Sequence, residues 1–255
     1  MSLTDLNRAI ERGDLEGARR IFEPLSTDAA ISAEARARSA FRLSVAFRNS
    51  GNFSAADELY RFMESLGDSE EVILTRARAA FNLFESYRKA DMLSEAKEIH
   101  LSMRKLPQTD EINLLTALAA ANLVETLSKA GEEDAAREVY RRMEDIGCSE
   151  ELSAIRATCA VFLLESCERS KDYPNARKIF DSLLELGAGD SEDVSAACAG
   201  SCPVMARICC QAGRVSEAKE VYRLVSAMVD KFFYLWEKKD EVFGVIYEAT
   251  GETEF

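Results

Sequence analysis

The sequence predicts an all-α fold made of about six stacked helix-turn-helix repeats. Two observations carry this prediction: one residue pattern recurs at a nearly constant period along the whole chain, and its apolar positions have helical spacing. A small residue anchors the pattern, with separations of 38, 40, 40, 40 and 42 residues. The anchors are Ala18, Ala56, Ala96, Ala136, Ala176 and Ala218.

The second helix of each repeat, helix B, is defined around its anchor. Gly51 opens the pattern five residues before Ala56, and Tyr60 and Met63 follow at four and seven residues after it. Positions i, i+4 and i+7 share one face of a helix. The alanine is small, so we expect a neighbouring helix to approach closely there, with the larger side chains filling the space on either side.

The first helix of each repeat, helix A, carries its own apolar stripe. Ala40, Leu43 and Phe47 form it in the second repeat. The equivalent stripes are Ala80, Leu83, Tyr87; Ala120, Leu123, Leu127; Ala160, Leu163, Cys167; and Cys202, Met205, Cys209. Neither helix can bury its face alone, so neighbouring repeats must stack.

The repeats are expected to run over residues 1–230. The first helix B contains Pro24, which should shorten or bend it, and the first repeat has the character of a cap. Helix A of the second repeat is expected from about Ala33 to Asn49, and later repeats begin near 70, 110 and 150. The longest polar connector is 187–193, and Pro203 either kinks the sixth helix A or marks its start.

The end of the chain differs from the rest. Residues 231–236 are aromatic-rich and contain the single tryptophan, and we expect them to extend the sixth helix B. Another helix is expected over 240–250. Residues 231–255 therefore form either a capping helix or a truncated seventh repeat.

Composition limits the function. No apolar run reaches the roughly 18 residues of a membrane helix, and no signal peptide is visible. The net charge of −13 argues against sequence-independent nucleic-acid binding, which needs a basic surface, although a local basic groove stays open. The single histidine, His100, occupies a core position, and no P-loop or G-x-G-x-x-G after a strand is present. An enzyme is therefore not predicted.

Seven cysteines lie between Cys148 and Cys210. Most fall on core stripes, where free cysteine behaves as a small apolar residue, and they indicate a reducing, cytoplasmic setting. The alternative is a metal or redox site, and its residues would be Cys198, Cys202, Cys209 and Cys210. No C-x-x-C pair supports that site, so neither a metal nor a cofactor is predicted.

The glycine, alanine and aromatic spacing, with a leucine thirteen residues before four of the six anchors, resembles the tetratricopeptide repeat over nearly the whole chain. Its period of 40 matches the long variant of that family rather than the common 34. This resemblance implies a right-handed α-α superhelix whose helices A line a concave groove. Residues 131–147 also resemble a pentatricopeptide unit, an RNA reader, although the period and the acidic charge count against it.

The resemblance implies a non-catalytic scaffold that binds a peptide or protein segment in the groove. We expect a peptide that is acidic or ends in a free carboxylate, with nucleic acid disfavoured and no membrane. The alternatives are a sensor that holds a small molecule or signal peptide in the same groove, and pentatricopeptide-like RNA binding. The predicted groove residues are Arg38, Phe41, Arg42, Arg48, Arg78, Phe81, Asn82, Arg88 and Asn122.

Overall fold

The structure, a computed structural model, describes residues 2–147, 149–186 and 191–253. These residues form α-helices and two short 3-10 turns, with no strand among them. The helices are α1 (Leu3–Glu11), α2 (Leu15–Thr27), α3 (Ala33–Asn49), α4 (Phe53–Glu64), α5 (Glu70–Lys89), α6 (Leu93–Met103), α7 (Asp110–Ala130), α8 (Glu133–Arg142), α9 (Glu150–Ser170), α10 (Tyr173–Leu186), α11 (Glu192–Gln211), α12 (Val215–Lys231) and α13 (Trp236–Thr250). The 3-10 turns are Met143–Ile146 and Phe233–Leu235. The predicted all-α helical-repeat class is confirmed.

The chain divides into two compact units, 1–119 and 120–255, at a boundary within α7. In the first unit, α1 packs on α2, α3 on α4 and α5 on α6, each as a helix A with its helix B. Neighbouring pairs contact each other through α2 with α3, α3 with α5, and α4 with α5. Helix A therefore meets both its own helix B and the next helix A.

The second unit follows the same rule. Helix α9 packs on α8, α10 and α11, and α11 packs on α9, α10, α12 and α13. Because α11 is covered from so many sides, most of its residues are buried. Helix α13 contacts both α11 and α12. It therefore has the position that a helix A has relative to the repeat before it.

The core confirms the anchor positions predicted for helix B. All six anchor alanines are at most 3% exposed. Of the side chains four residues later, Phe22, Tyr60, His100, Tyr140 and Phe180 are buried, while Tyr222 stays half-buried. The helix A stripes are buried as well. Each repeat thus buries one face of each of its helices around a small residue.

The turn between helix A and helix B is the same at every repeat. One residue adopts a left-handed backbone at Gly13, Gly51, Asp91, Gly131, Lys171 and Gly213, with φ between 57° and 81°. The next N–H then bonds back to a carbonyl five residues earlier, as Asn52 to Phe47 and Asp172 to Cys167, each at 2.9 Å. This Schellman-type closure satisfies the last carbonyls of helix A and fixes the direction of helix B.

Three local expectations need correction. Pro203 lies well inside α11 rather than at its start, whereas Pro24 lies late in α2, which ends at Thr27, as expected. Both prolines lack the N–H for one helical bond. The aromatic segment does not extend α12, because that helix ends at Lys231 and Phe232 leaves helical geometry at φ −129° and ψ 84°. The last helix begins at Trp236, not at 240. Residues 187–190 of the polar connector lie outside the described residues.

The turn geometry makes a prediction at Lys171, whose φ of 59° is unfavourable for a residue with a Cβ. Lys171→Gly should raise the free energy of unfolding by about 0.5–1 kcal/mol, because the strain relieved exceeds the entropy that glycine adds to the unfolded chain. Asp91→Gly should gain less, since aspartate tolerates this conformation better. Urea unfolding curves measure both effects.

Gly131→Ala is the matched opposite change. Its φ is 77° and no atom lies within 4 Å of an added Cβ, so the loss in stability reports backbone strain alone. We expect a lower urea midpoint by about 1 kcal/mol of unfolding free energy. A lower midpoint for Lys171→Gly would show that the turn does not limit stability.

Candidate ligand-binding face on the first helices

The outward side chains of α3 and α5 include most of the predicted groove residues. Arg38 and Arg78 occupy equivalent positions, and each forms an ion pair with a glutamate in the first turn of the next helix A. Arg38 pairs with Glu71, and the Nη2 of Arg78 lies 2.6 Å from Oε1 of Glu111. Each arginine therefore connects one repeat to the next. The two arginine side chains are still 59% and 51% exposed, so a ligand can reach them.

Arg48 and Asn82 lie on adjacent helices A and contact each other directly. Nη1 of Arg48 donates to the side-chain carbonyl of Asn82 at 3.1 Å and to its backbone carbonyl at 3.4 Å. Nη2 of Arg48 donates to Asn49 at 3.0 Å. A ligand that uses the amide oxygen of Asn82 must therefore displace Arg48. This link was not foreseen from the sequence, although both residues were predicted at the face.

The other predicted residues of this unit are also engaged. Arg42 donates to Oδ1 of Asn7 at 2.9 Å, and Arg88 makes a bidentate pair with Glu85 at 3.1 and 2.9 Å. Phe41 and Phe81 are half-buried. The arginine-rich face is thus balanced by carboxylates rather than strongly positive. Exposed ion pairs contribute little to stability, so a ligand can exchange them at small cost.

In the second unit, Arg207 of α11 projects toward α9. Its Nε and Nη2 bond to the two carboxylate oxygens of Glu168 at 2.5 and 3.1 Å. Arg169 donates to the backbone carbonyl of Ser128 at 2.9 Å. Asn122, the last predicted groove residue, is half-buried on α7, and its backbone carbonyl accepts from Thr126 at 2.7 Å.

Residues 204–226, the end of α11 and most of α12, carry a net positive charge although the chain as a whole is acidic. They contain four basic residues against two acidic ones. The basic residues are Arg207, Arg214, Lys219 and Arg223. Arg223 is exposed, and the guanidinium of Arg214 lies 4.5 Å from the centre of the Tyr173 ring. Neither Arg207 nor Arg223 was among the predicted site residues, although this local surplus of basic residues could have indicated them.

The described cysteines lie in apolar surroundings. Burial raises the pKa of Cys159 to about 12 and that of Cys198 to about 11. The thiol of Cys198 donates to the carbonyl of Leu183 at 3.4 Å, and that of Cys202 to the carbonyl of Cys198 at 3.3 Å. Within the described residues, no group of three or more His, Cys, Asp or Glu side chains is placed to hold a metal. Cys148 lies outside the described part.

The raised pKa values predict how the thiols react. An ordinary thiol ionises near pH 8.5, and only the thiolate attacks a disulfide reagent. With a folded-state pKa near 11 or above, the buried thiols stay protonated at pH 8, so they should not react with Ellman's reagent in the native protein. The five silent residues should be Cys159, Cys167, Cys198, Cys202 and Cys209. Denaturant should release all seven cysteines.

Raising the pH from 7 to 9 should leave these five unlabelled, because this range stays below their pKa. Cys210, which is only partly buried, is the internal control and should react first. Rapid native labelling of more than two thiols per chain would contradict this picture of the core.

A family model for the PPR repeat matches residues 122–148 and 204–226. Each match spans the end of a helix A, the tight turn and a helix B. No curated protein matches the chain at a significant level. No described helix is both long and apolar enough to cross a membrane.

The match corrects the expected partner. Nucleic acid was disfavoured because of the net charge, but PPR repeats read RNA with one base per helical repeat, so this expectation is wrong. Its physical flaw is that net charge averages over the whole surface, whereas binding depends on the local field. For these two segments the match favours the PPR repeat over the tetratricopeptide repeat. Both kinds of repeat are helix-turn-helix units, so the predicted fold class is unchanged.

Proposed function

We propose that the protein is a non-catalytic RNA-binding repeat protein that holds single-stranded RNA on the helix A side of residues 120–226. The observation that carries the proposal is the match of the PPR repeat to two helix-turn-helix segments. Repeats of this class read bases with two or three side chains each, so the ligand is an extended strand rather than a duplex.

The local chemistry supports this assignment. Arg207 is 41% exposed on its side chain, and a guanidinium forms strong bidentate bonds with phosphate. A phosphate oxygen can take the place of the Glu168 carboxylate without leaving Arg207 buried and unpaired. Asn122 begins the first matched segment, and its amide offers both a donor and an acceptor to a base edge. The basic surplus of 204–226 reduces the repulsion that the rest of the chain imposes.

The test is direct titration with a fluorescein-labelled 20-nucleotide RNA of random sequence, followed by anisotropy at 50 and 150 mM KCl. We expect tighter binding at the lower salt, because phosphate contacts release counterions. Arg207→Gln should weaken binding several-fold and lower the salt slope by about one.

The control variant is Lys178→Gln, which removes an exposed positive charge from α10, a helix B. Its RNA affinity should equal that of the wild type, and circular dichroism should confirm that both variants keep their helices. If the wild type fails to bind the RNA at micromolar concentration in 50 mM salt, the proposal is overturned.

A second candidate function is binding of a protein segment on the helix A face of α3 and α5, in the manner of tetratricopeptide repeats. The ion pairs of this face favour this second candidate. Arg38 and Arg78 pair with the carboxylates of two glutamates of the chain itself, and a bound protein segment can supply carboxylates in place of those glutamates. The proposed contacts are the residues predicted from the sequence within the first unit: Arg38, Phe41, Arg42, Arg48, Arg78, Phe81, Asn82 and Arg88.

Affinity capture from RNase-treated extract of the native cell separates the two candidates. A protein retained by the wild type and lost with Arg38→Glu/Arg78→Glu is expected, since the reversed charges repel carboxylates. The matched control is Arg19→Glu, because Arg19 also pairs with a glutamate of the next repeat, Glu58, but lies on a helix B. If all three proteins retain the same set, this face is not the protein-binding surface.

A further inference from the structure

A cavity of about 780 Å³ lies between the start of α5 and the connector that joins α6 to α7. Its apolar wall comprises Ile73 and Leu74 of α5, Leu106 of the connector and Ile112 of α7. Ile73, Leu106 and Ile112 pack together and are at most 7% exposed. All residues that line the cavity belong to the first unit. Its volume lies within the range of about 300–1,000 Å³ that is usual for small-molecule sites.

The apolar wall is a local feature of the third repeat. Ile73 and Leu74 stand 23 and 22 residues before the anchor Ala96, and no other repeat has two large apolar residues at these positions. The equivalent pairs are Ala33 and Glu34, Asn113 and Leu114, Ser153 and Ala154, and Ser195 and Ala196. Stacking of the repeats therefore does not require this wall.

Arg76 of α5 also lines the cavity, and its guanidinium is poorly paired. The side chain is only 13% exposed, and the nearest carboxylate oxygens, those of Glu64 and Asp68, lie 3.6 and 3.5 Å away. A strong charge-assisted bond is shorter, at about 2.7–2.9 Å. The Nε of Arg76 is buried and has no hydrogen-bond partner among the residues that the structure describes. Leaving a buried donor unpaired is unfavourable, so an acceptor that enters the cavity gains a strong bond.

The equivalent arginines of two other repeats have closer partners. Arg36 donates to the backbone carbonyl of Ser26 at 3.0 Å, and Arg156 donates to Oε1 of Glu144 at 3.1 Å. Both also leave Nε unpaired, so an arginine at this position links its helix A to the chain segment before it. Arg76 makes that link only through its two long contacts, and its guanidinium is therefore better placed to accept a ligand.

Two further features favour an anion in the cavity. Lys105 of the connector lines it and adds a second positive charge. Helix α5 begins without a side-chain cap, because the hydroxyl of Ser69 donates to Oε1 of Glu34 at 2.8 Å instead. The first N–H groups of α5 are therefore left without a capping side chain beside Glu70, which lines the cavity. Such N–H groups favour negative charge.

Four carboxylates line the cavity as well, and all belong to exposed residues: Asp68, Glu70, Asp110 and Glu111. Glu111 is already paired with Arg78. Charges in solvent are screened by water and salt, whereas a largely buried charge is screened much less. The field inside the cavity is therefore set more by Arg76 than by the carboxylates at its mouth.

We propose that this cavity binds an amphipathic monocarboxylate with a medium-length hydrocarbon chain. The carboxylate would accept from Nε and one Nη of Arg76 in the bidentate geometry that suits a guanidinium. The chain would cover the apolar wall and leave water, which is favourable in proportion to the area buried. A cationic ligand would meet Arg76 with the same charge, and the apolar wall offers no hydrogen bonds to a sugar or a base. This site is additional to the proposed RNA site and does not depend on it.

The test is isothermal titration calorimetry with octanoate at 150 mM KCl. Octan-1-ol keeps the chain and lacks the carboxylate, and acetate keeps the carboxylate and lacks the chain. We expect saturable binding of one octanoate per chain. Both comparison ligands should bind at least about tenfold more weakly, because each loses one of the two contacts.

Variants locate the carboxylate. Arg76→Gln should weaken octanoate at least about tenfold and change the binding of octan-1-ol little. The matched control is Arg156→Gln, which removes the equivalent arginine from a repeat with Ser153 and Ala154 at the wall positions. Its affinity for octanoate should equal that of the wild type, and circular dichroism should show that both variants keep their helices.

A second pair of variants locates the chain. Leu74→Ser, at a half-buried position, should weaken octanoate and octan-1-ol alike, each at least about fivefold. Leu101→Ser is its control, because Leu101 is an exposed leucine of α6 that does not line the cavity, and it should bind as the wild type does.

Equal affinity for octanoate and octan-1-ol, or wild-type affinity in Arg76→Gln, overturns the proposal. So does a wild type that binds no octanoate but forms a dimer that Leu74→Ser dissociates, because a second copy would then cover the wall. If octanoate binds as expected and the 20-nucleotide RNA does not, only the proposed function fails.

Discussion

Every repeat depends on the close approach of two helices at one small residue. The six anchor alanines are at most 3% exposed, and a neighbouring helix fills the space that a larger side chain would take. Overpacking such a site typically costs about 1–3 kcal/mol. The large residues four and seven positions later then fill the gaps on either side. Helices such as α3 still keep part of their surface exposed, and this exposed part is free to vary, which is how a structural array can acquire binding surfaces.

The fold was predictable because these packing positions recur. The pattern of Ala56, Tyr60 and Met63 recurs with a nearly constant period along the chain. An apolar pattern with helical spacing that recurs in this way indicates a helical-repeat fold rather than another fold class. The turn was less predictable. Glycine at 51 and 131 indicated a left-handed residue, but Lys171 and Asp91 adopt the same backbone at equivalent positions. There the stacking of the repeats outweighs the local preference of the residue.

The position of the candidate face on α3 and α5 could be predicted from the sequence, but the ion pairs on it could not. Offsets from the anchor place Arg38 and Arg78 on the outer side of helix A, yet they cannot show which carboxylate each guanidinium meets. Those partners, Glu71 and Glu111, lie 33 residues away, in the first turn of the following helix. Acidic residues are favourable at a helix N-terminus on their own account, so their presence there gave no sign of the ion pair.

The net charge of −13 misled for a related reason. Within the second unit, charge is divided between surfaces: 204–226 holds more basic than acidic residues, while the exposed flank of α13 carries Glu237, Asp240, Glu241 and Glu248. At physiological salt the screening length is about 8 Å, so the field at one site depends mainly on the charges close to it. The sign of the total charge therefore does not predict what a local site binds.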